Sequence, residues 1–310
     1  MPRSATHELR RDGLGNRPTT RRGAPARRTA VAAVGVVALA VALAAVPAGA
    51  AVGGTYVALG DSYTADPGVS GLAGGISPLC LQSSADYPHL VGAAEGFSTT
   101  DVSCSGSTSA DMTAAQYPGV QPQLAALSAS DTVVSVGIGG NDNDLFVGAL
   151  VSCGILDVGD FLNIGAPCKA VFGSTFANAV AGDAATIAGV IHGIHARAPR
   201  AAVFVVGYAD ILPQSGNCYP TMPLTTGDTA YLNGVEKDLN AMLSTEAAAN
   251  GATFVDTYTP SIGHDACKTG TARWVNPIVA TNGGISVHPT PNGVAETTRL
   301  VEGAMTAQGL

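Results

Sequence analysis

The sequence predicts an α/β protein in which a parallel sheet carries helices on both faces. Three observations support this. Short apolar or β-branched runs alternate with helical patterns throughout residues 51–310. The runs are bounded mostly by Gly, Pro or Asp, as strands are when they hand over to loops. The residues with chemical character fall just after these runs, where open α/β sheets place their ligand sites.

In chain order, Tyr56 to Leu59 reads as a buried parallel strand that stops at Gly60-Asp61-Ser62. Gly60 permits the tight bend that leaves Ser62 at the carboxyl edge of the sheet, beside a helix N-terminus. A helix is expected around Ala85 to Ala94, a second strand over Ser98 to Val102, a helix over Gln121 to Leu127 and a third strand over Thr132 to Ile138. Phe176, Val180, Ala184, Ile187, Ile191 and Ile194 recur at helical spacing, and Pro199 stops that helix. Ala202 to Tyr208 is the fourth strand. Thr226 to Asn250 forms the next helix, with Tyr231, Val235, Leu239 and Met242 on one face and Asn250-Gly251 as its stop. Thr253 to Asp256 completes five strands, and a last helix spans Asn292 to Ala307. Long loops at Tyr63 to Leu81, Gly148 to Lys169 and Tyr208 to Leu224 each contain or adjoin a cysteine and are expected to shape a site.

The first fifty residues are of another kind. Eight arginines between Arg3 and Arg28 precede an apolar run from Ala30 to Val46, which ends in Pro47-Ala48-Gly49-Ala50. A basic segment, an apolar segment and Ala48-x-Ala50 predict a secretory signal over residues 1–50, cleaved after Ala50. The run is rich in alanine, short for a membrane span and followed by no basic stop-transfer cluster. Arg27-Arg28 leaves the general and the twin-arginine export routes both open. Residues 51–310 suffice for a single domain.

Eight of the 15 basic but only two of the 23 acidic residues lie in that leader, so residues 51–310 hold 7 basic and 21 acidic side chains, a net charge of −14. Such a surface repels phosphate backbones and argues against a nucleic acid partner. All six cysteines follow the leader, none in a zinc-type spacing, which favours disulfides in an exported chain. Sequential pairing closes the shortest loops and is the expectation: Cys80 with Cys104, Cys153 with Cys168, Cys218 with Cys267.

Ser62 follows the first strand, Cys104-Ser105-Gly106-Ser107 the second and Gly137-Ile138-Gly139-Gly140-Asn141-Asp142 the third, and His288-Pro289 precedes the last helix. Each block alone is weak, since Gly-Asp-Ser is also a turn with an N-cap and Gly139 to Asp142 could be a plain turn. Together and in this order they resemble the SGNH hydrolases, also called GDSL esterases and lipases. The resemblance implies a three-layer α/β/α sandwich around a flavodoxin-like, five-stranded parallel sheet. It also implies Ser62 as nucleophile, His288 as base, and Gly106 and Asn141 as the glycine and asparagine of the second and third blocks.

These residue types suit acyl transfer. A serine hydroxyl needs a base to take its proton, and a neutral imidazole serves near pH 7. The Ser62 and Gly106 N–H groups and the Asn141 amide would form the oxyanion hole. One departure matters: many family members carry Asp three residues before the histidine, where this chain has Ile285. A main-chain carbonyl can hold the imidazole tautomer instead, so the expectation is a Ser62–His288 dyad oriented by the Ile285 carbonyl, with Asp256 and Asp265 as rival orienters and His264 as a rival base. His192 and His195 stand at i, i+3 but lack a nearby third ligand, and no metal or other cofactor is expected. Trp274 and Tyr63 either line an acyl pocket or merely pack.

The function expected is a secreted, monomeric, disulfide-stabilised serine ester hydrolase. Aromatic residues make up only 5% of the chain, and Leu72, Ile76, Leu79, Leu145, Phe146 and Leu150 supply aliphatic loop positions. That fits a lipid or other fatty-acyl ester, with transient contact to lipid surfaces. The rivals are a carbohydrate or plant-polymer acyl esterase, and a non-catalytic surface-binding module on the same fold.

Overall fold

Along the first strand, Val57 and Leu59 join one apolar cluster while Tyr56 and Ala58 join another, so the sheet is covered on both faces. The structure, a computed structural model, describes residues 53–160, 162–279 and 284–310. The leader expected over residues 1–50 lies outside the described residues. Five parallel strands, β1 (Thr55–Gly60), β2 (Ser98–Asp101), β3 (Val133–Gly137), β4 (Ala202–Val206) and β5 (Thr253–Val255), stand in the order 2-1-3-4-5. The register sets Tyr56 beside Thr99 on one side and Val133 on the other. This is the flavodoxin-like order, and its reversal between β1 and β3 opens the crevice in which such sheets bind ligands.

The helices are α1 (Ser62–Ala65), α2 (Tyr87–Glu95), α3 (Leu145–Asp157), α4 (Pro167–Phe172), α5 (Thr175–Arg197), α6 (Thr226–Ala249), α7 (Tyr258–Ser261) and α8 (Pro291–Ala307). On one face, α5 and α6 pack together over Val57, Leu59, Val134 and Val136, burying Ile187, Ile191, Leu239 and Leu243. On the other, α2 and α8 bring Val91, Val294, Val301 and Met305 against Tyr56, Phe204 and Val206. Truncating one fully buried isoleucine such as Ile191 to alanine costs about 2–5 kcal/mol, enough to threaten a domain of ordinary stability.

Two sequence expectations are corrected. The helix over Gln121 to Leu127 is a single 3₁₀ turn, Gln123–Ala126, capped by Pro122 and left in an extended conformation at Leu127. The loop over Gly148 to Lys169 contains most of α3 and the start of α4. The stretch from Leu145 to Leu156 has no charged residue on any side, so no amphipathic period marks it as helix.

Three disulfides form, Cys80–Cys104, Cys153–Cys168 and Cys218–Cys267, in the sequential pairing. The second ties α3 to α4. Each closes a loop whose chain entropy in the unfolded state makes the bond worth about 2–4 kcal/mol. No described helix is long and apolar enough to cross a membrane.

Candidate active site

The chain leaves β1 through a bend that only glycine accommodates. Gly60 has φ +152°, and a Cβ there would lie 2.2 Å from Thr64 Oγ1 and 2.6 Å from the Gly137 carbonyl. The Gln123 side chain clamps this point, accepting the Gly60 N–H at 2.7 Å and donating to the Gly60 carbonyl at 2.8 Å. The Asp61 N–H donates to Gly137 O at 2.9 Å, and its carboxylate accepts the Tyr63 N–H at 2.9 Å, capping α1. Ser62 is therefore the first residue of α1, 8% exposed.

Asp61 is fully enclosed, and burial pushes its carboxyl up to about 7 even though Tyr208 and the Tyr63 N–H favour its charged form. The Tyr208 hydroxyl donates to Asp61 Oδ2 and accepts the Gly140 N–H. Sequence reasoning missed Tyr208 and Gln123. Their only signals are a tyrosine just past a strand and a glutamine in a turn.

Gly106 has φ +79°, the left-handed region that a side chain strains, and it is exposed. Asn141 donates one amide N–H to the Ser107 carbonyl at 2.9 Å, which sets it beside the Gly106 loop. Asp142 holds the same two loops together, accepting the Ser109 N–H at 2.7 Å and the Ser109 hydroxyl at 2.5 Å.

His288 Nδ1 bonds to the Ser286 carbonyl at 2.7 Å. This corrects the expectation of Ile285, whose carbonyl accepts the His288 main-chain N–H at 3.4 Å. The cause is Val287, which takes φ +60°, costly for a β-branched residue, and so folds the Ser286 carbonyl back under the ring. Tyr63 fixes this kink by donating its hydroxyl to Val287 O at 2.7 Å, and the Asn276 carbonyl accepts the Val287 N–H at 3.1 Å. A carbonyl only accepts, so Nδ1 carries the proton and Nε2 keeps its lone pair. Burial pulls the His288 pKa below its ordinary 6.5, against the opposing pull of the Ser286 bond.

The rivals are occupied elsewhere. Asp256 accepts the Thr259 N–H, Asp265 accepts the Cys267 N–H, and His264 bonds to Ala272 O while stacking on Trp274 at 3.7 Å. Asp86, His89 and Asp101 could present metal-ligand atoms within 4.8 Å of one another. His89 Nδ1 there bonds to Asp86 Oδ1 at 2.6 Å, which raises the His89 pKa.

Ser62, Asn141, Ser286 and His288 line one cavity of about 430 Å³. Among the described residues no hydrogen bond joins Ser62 Oγ to His288 Nε2, an arrangement that commonly tightens once substrate binds. Tyr63 lines the cavity, its ring 5.7 Å from that of His288, whereas Trp274, Gly106 and Ile285 do not line it. Of the aliphatic loop positions named from sequence, Phe146 and Leu150 are in the wall, Leu145 is in the core beneath, and Leu72, Ile76 and Leu79 lie elsewhere. Val147, Val151, Gly154 and Ile155 of α3 and Val158, the residue after it, form one side of the wall, Ile211, Pro223 and Ile278 join it from the neighbouring loops, and sequence reasoning missed them.

Residues 58–295 match the GDSL-like Lipase/Acylhydrolase family. The chain belongs to that family. It is 40% identical over 292 residues to Lipase 2 of Streptomyces coelicolor, covering 90% of this chain and 95% of that protein. It is 31% identical to a lipase of Streptomyces rimosus, over 77% of this chain and 81% of that one. Among solved structures, phospholipase A1 of Streptomyces albidoflavus NA297 superposes with a TM-score of 0.65 at 29% identity, over 81% of this chain and 98% of that one. The extracellular lipase of S. rimosus gives the same score and identity, over 81% and 99%. Like other members of the GDSL-like family, this protein is a carboxylic ester hydrolase.

Proposed function

We propose that this protein hydrolyses fatty-acyl esters of lipids through an acyl-enzyme on Ser62. Ser62 Oγ attacks the ester carbonyl as His288 Nε2 takes its proton, and the imidazolium returns that proton to the leaving alcohol. The Ser62 N–H and the second amide hydrogen of Asn141, both at the cavity, stabilise the tetrahedral oxyanion, joined by the N–H of Gly106, which lies outside the cavity wall on the loop that Asn141 ties down through the Ser107 carbonyl. Water, deprotonated by His288, then releases the acid. The Ser286 carbonyl stands where a triad would have a carboxylate: it holds the tautomer without adding a charge.

The observation that carries the lipid assignment is the cavity itself. Away from Ser62 and His288 its wall is mainly aliphatic, with Val147, Leu150, Val151, Ile155 and Ile211 prominent. Asp61, Tyr63, Tyr208 and Ser286 beside the catalytic pair are already bonded within the protein, which suits an alkyl chain better than a sugar. The names lipase and phospholipase A1 borne by similar proteins support it. The leader, the three disulfides and the likeness to an extracellular lipase support export.

The test is a series of p-nitrophenyl esters from acetyl to palmitoyl, run on the wild type and Ser62→Ala. Turnover should rise toward the longer chains and fall by at least about 10³-fold in Ser62→Ala, which should also escape labelling by a fluorophosphonate. Undiminished turnover in Ser62→Ala, or a preference for acetylated xylan, would sink the proposal.

A further inference from the structure

A helix at a protein surface ordinarily turns polar side chains outward. α3 does not. Val147, Val151, Ile155 and, just past the helix, Val158 recur at i, i+4, i+8 and i+11, a single stripe, and Leu162 and Ile164 follow in the next turn. All six are between 55 and 75% exposed. The opposite side of α3, with Leu145, Ala149, Leu150 and Cys153, is buried in the protein. Up to its last residue, the buried Asp157, the helix is thus apolar inside and out, with no Asp, Glu, Lys, Arg or His from Leu145 to Leu156. In a chain whose residues 51–310 carry a net charge of −14, this is an apolar window in an acidic surface, and the one carboxylate within its span that is not buried, Asp160, is turned to the Leu162, Asn163 and Gly165 N–H groups.

The window and the cavity are continuous. Val147, Val151, Ile155 and Val158 are solvent-exposed and also line the cavity that holds Ser62 and His288. We propose that this face docks onto a bilayer of zwitterionic phospholipid and seats the cavity mouth against the lipid, so that an acyl chain passes from bilayer to cavity without crossing water. The proposal rests on the lipid-ester reading of the site. Apolar area leaving water supplies the attraction, and the acidic charge elsewhere makes an anionic bilayer a poor partner. The Cys153–Cys168 bridge holds α3 to α4, so the face is presented in a fixed place. A second copy of the chain seated there would cover the cavity mouth, which argues for lipid as the occupant.

Leu162 and Ile164 do not line the cavity, so changing them separates docking from turnover. Binding is read by flotation with phosphatidylcholine vesicles, in a Ser62→Ala background that leaves the vesicles intact. Turnover is read on water-soluble p-nitrophenyl acetate with Ser62 in place. Ser62→Ala should float with phosphatidylcholine vesicles and less with phosphatidylglycerol vesicles. Adding Leu162→Asp and Ile164→Asp should weaken flotation at least about tenfold and leave turnover of the dissolved ester unchanged. The milder pair Leu162→Gln and Ile164→Gln, with an intermediate loss, covers the event that the aspartates disturb folding. Absence of flotation while the Ser62 protein turns over dissolved ester overturns the docking proposal alone. Flotation without any turnover supports docking and removes the hydrolase reading. Equal flotation with anionic vesicles, or a lipid-free dimer that the aspartate pair dissociates, overturns the assignment of the occupant.

Discussion

The Tyr208 hydroxyl donates to Asp61 Oδ2 at 2.5 Å and accepts the Gly140 N–H at 2.8 Å. One phenol thus joins the bend that carries Ser62 to the loop that carries Asn141, and both bonds are buried. Tyr208→Phe leaves the Gly140 N–H unpaired, at about 1–3 kcal/mol, and withdraws a donor that favours the charged form of Asp61. The expected result is a lower Tm together with a kcat that falls more than KM rises, since the loops lose their mutual position rather than the acyl wall. Thermal denaturation and steady-state kinetics on one ester check it, and an unchanged kcat would show that the bridge does not position the site.

The pH profile tests the base. Burial lowers the His288 pKa below 6.5, so the neutral, proton-accepting imidazole persists into mildly acidic solution. The acid limb of kcat/KM should therefore fall below pH 6.5. Because the orienting group is main chain, Ser286→Ala should leave that limb at the same pH, whereas a side-chain orienter would shift it.

Stability should move the opposite way to the usual carboxylate case. Burial raises Asp61 and Asp157 to about 7 and Asp210 to about 6, and raises Asp66, Asp101 and Glu236 as well. The folded state then binds more protons than the unfolded state between the ordinary carboxyl range and these values, so stability falls as pH rises through that window. His89, raised by Asp86, adds stability that is full below its ordinary 6.5 and is lost as pH rises through its folded value. Among the described residues with a shifted pKa, His288 opposes them, and only below 6.5. A Tm higher near pH ~5 than near pH ~8 is expected from thermal melts, and a rise with pH across that range would contradict it.

How much of this was legible in the sequence differs by residue. The run Tyr56 to Leu59 ending at Gly60, and the 3.6-residue recurrence from Phe176 to Ile194, carry their structure in their own pattern, and strand and helix follow. α3 carries no such pattern, because its outward face is as apolar as its inward one. Ser286 rather than Ile285 could not be chosen from sequence either. Every residue has a carbonyl, and the choice depends on the positive φ of Val287, which the Asn276 carbonyl and, from 224 residues away, the Tyr63 hydroxyl hold. Gln123 and Tyr208 act only through tertiary contacts, at separations of 63 and 147 residues from the bend they serve.

Asn141 tests the oxyanion hole. One of its amide hydrogens is committed to the Ser107 carbonyl, which aims the other. Asn141→Ala removes that donor and should cost about 10² to 10³ in kcat with little change in KM, as expected for a bond formed only with the transition state. A loss confined to KM would place Asn141 in ground-state binding instead.

The length of the acyl pocket can be tested at Gly154, which lines the cavity from α3. A Cβ there meets only Pro223, at 3.7 Å, an ordinary contact, so a branch point at this position is admitted without disturbing the backbone. Gly154→Leu should also favour the helix, since glycine is a poor helix former. Its side chain would take up part of the roughly 430 Å³ in which the alkyl chain lies. Each methylene so displaced forfeits about 0.8 kcal/mol of burial, about fourfold in kcat/KM, while esters short enough to end before the obstruction lose nothing. The chain-length optimum should therefore shift to shorter acyl groups with acetyl ester turnover retained. A uniform loss across the whole series would instead mean that the alkyl chain does not run along α3.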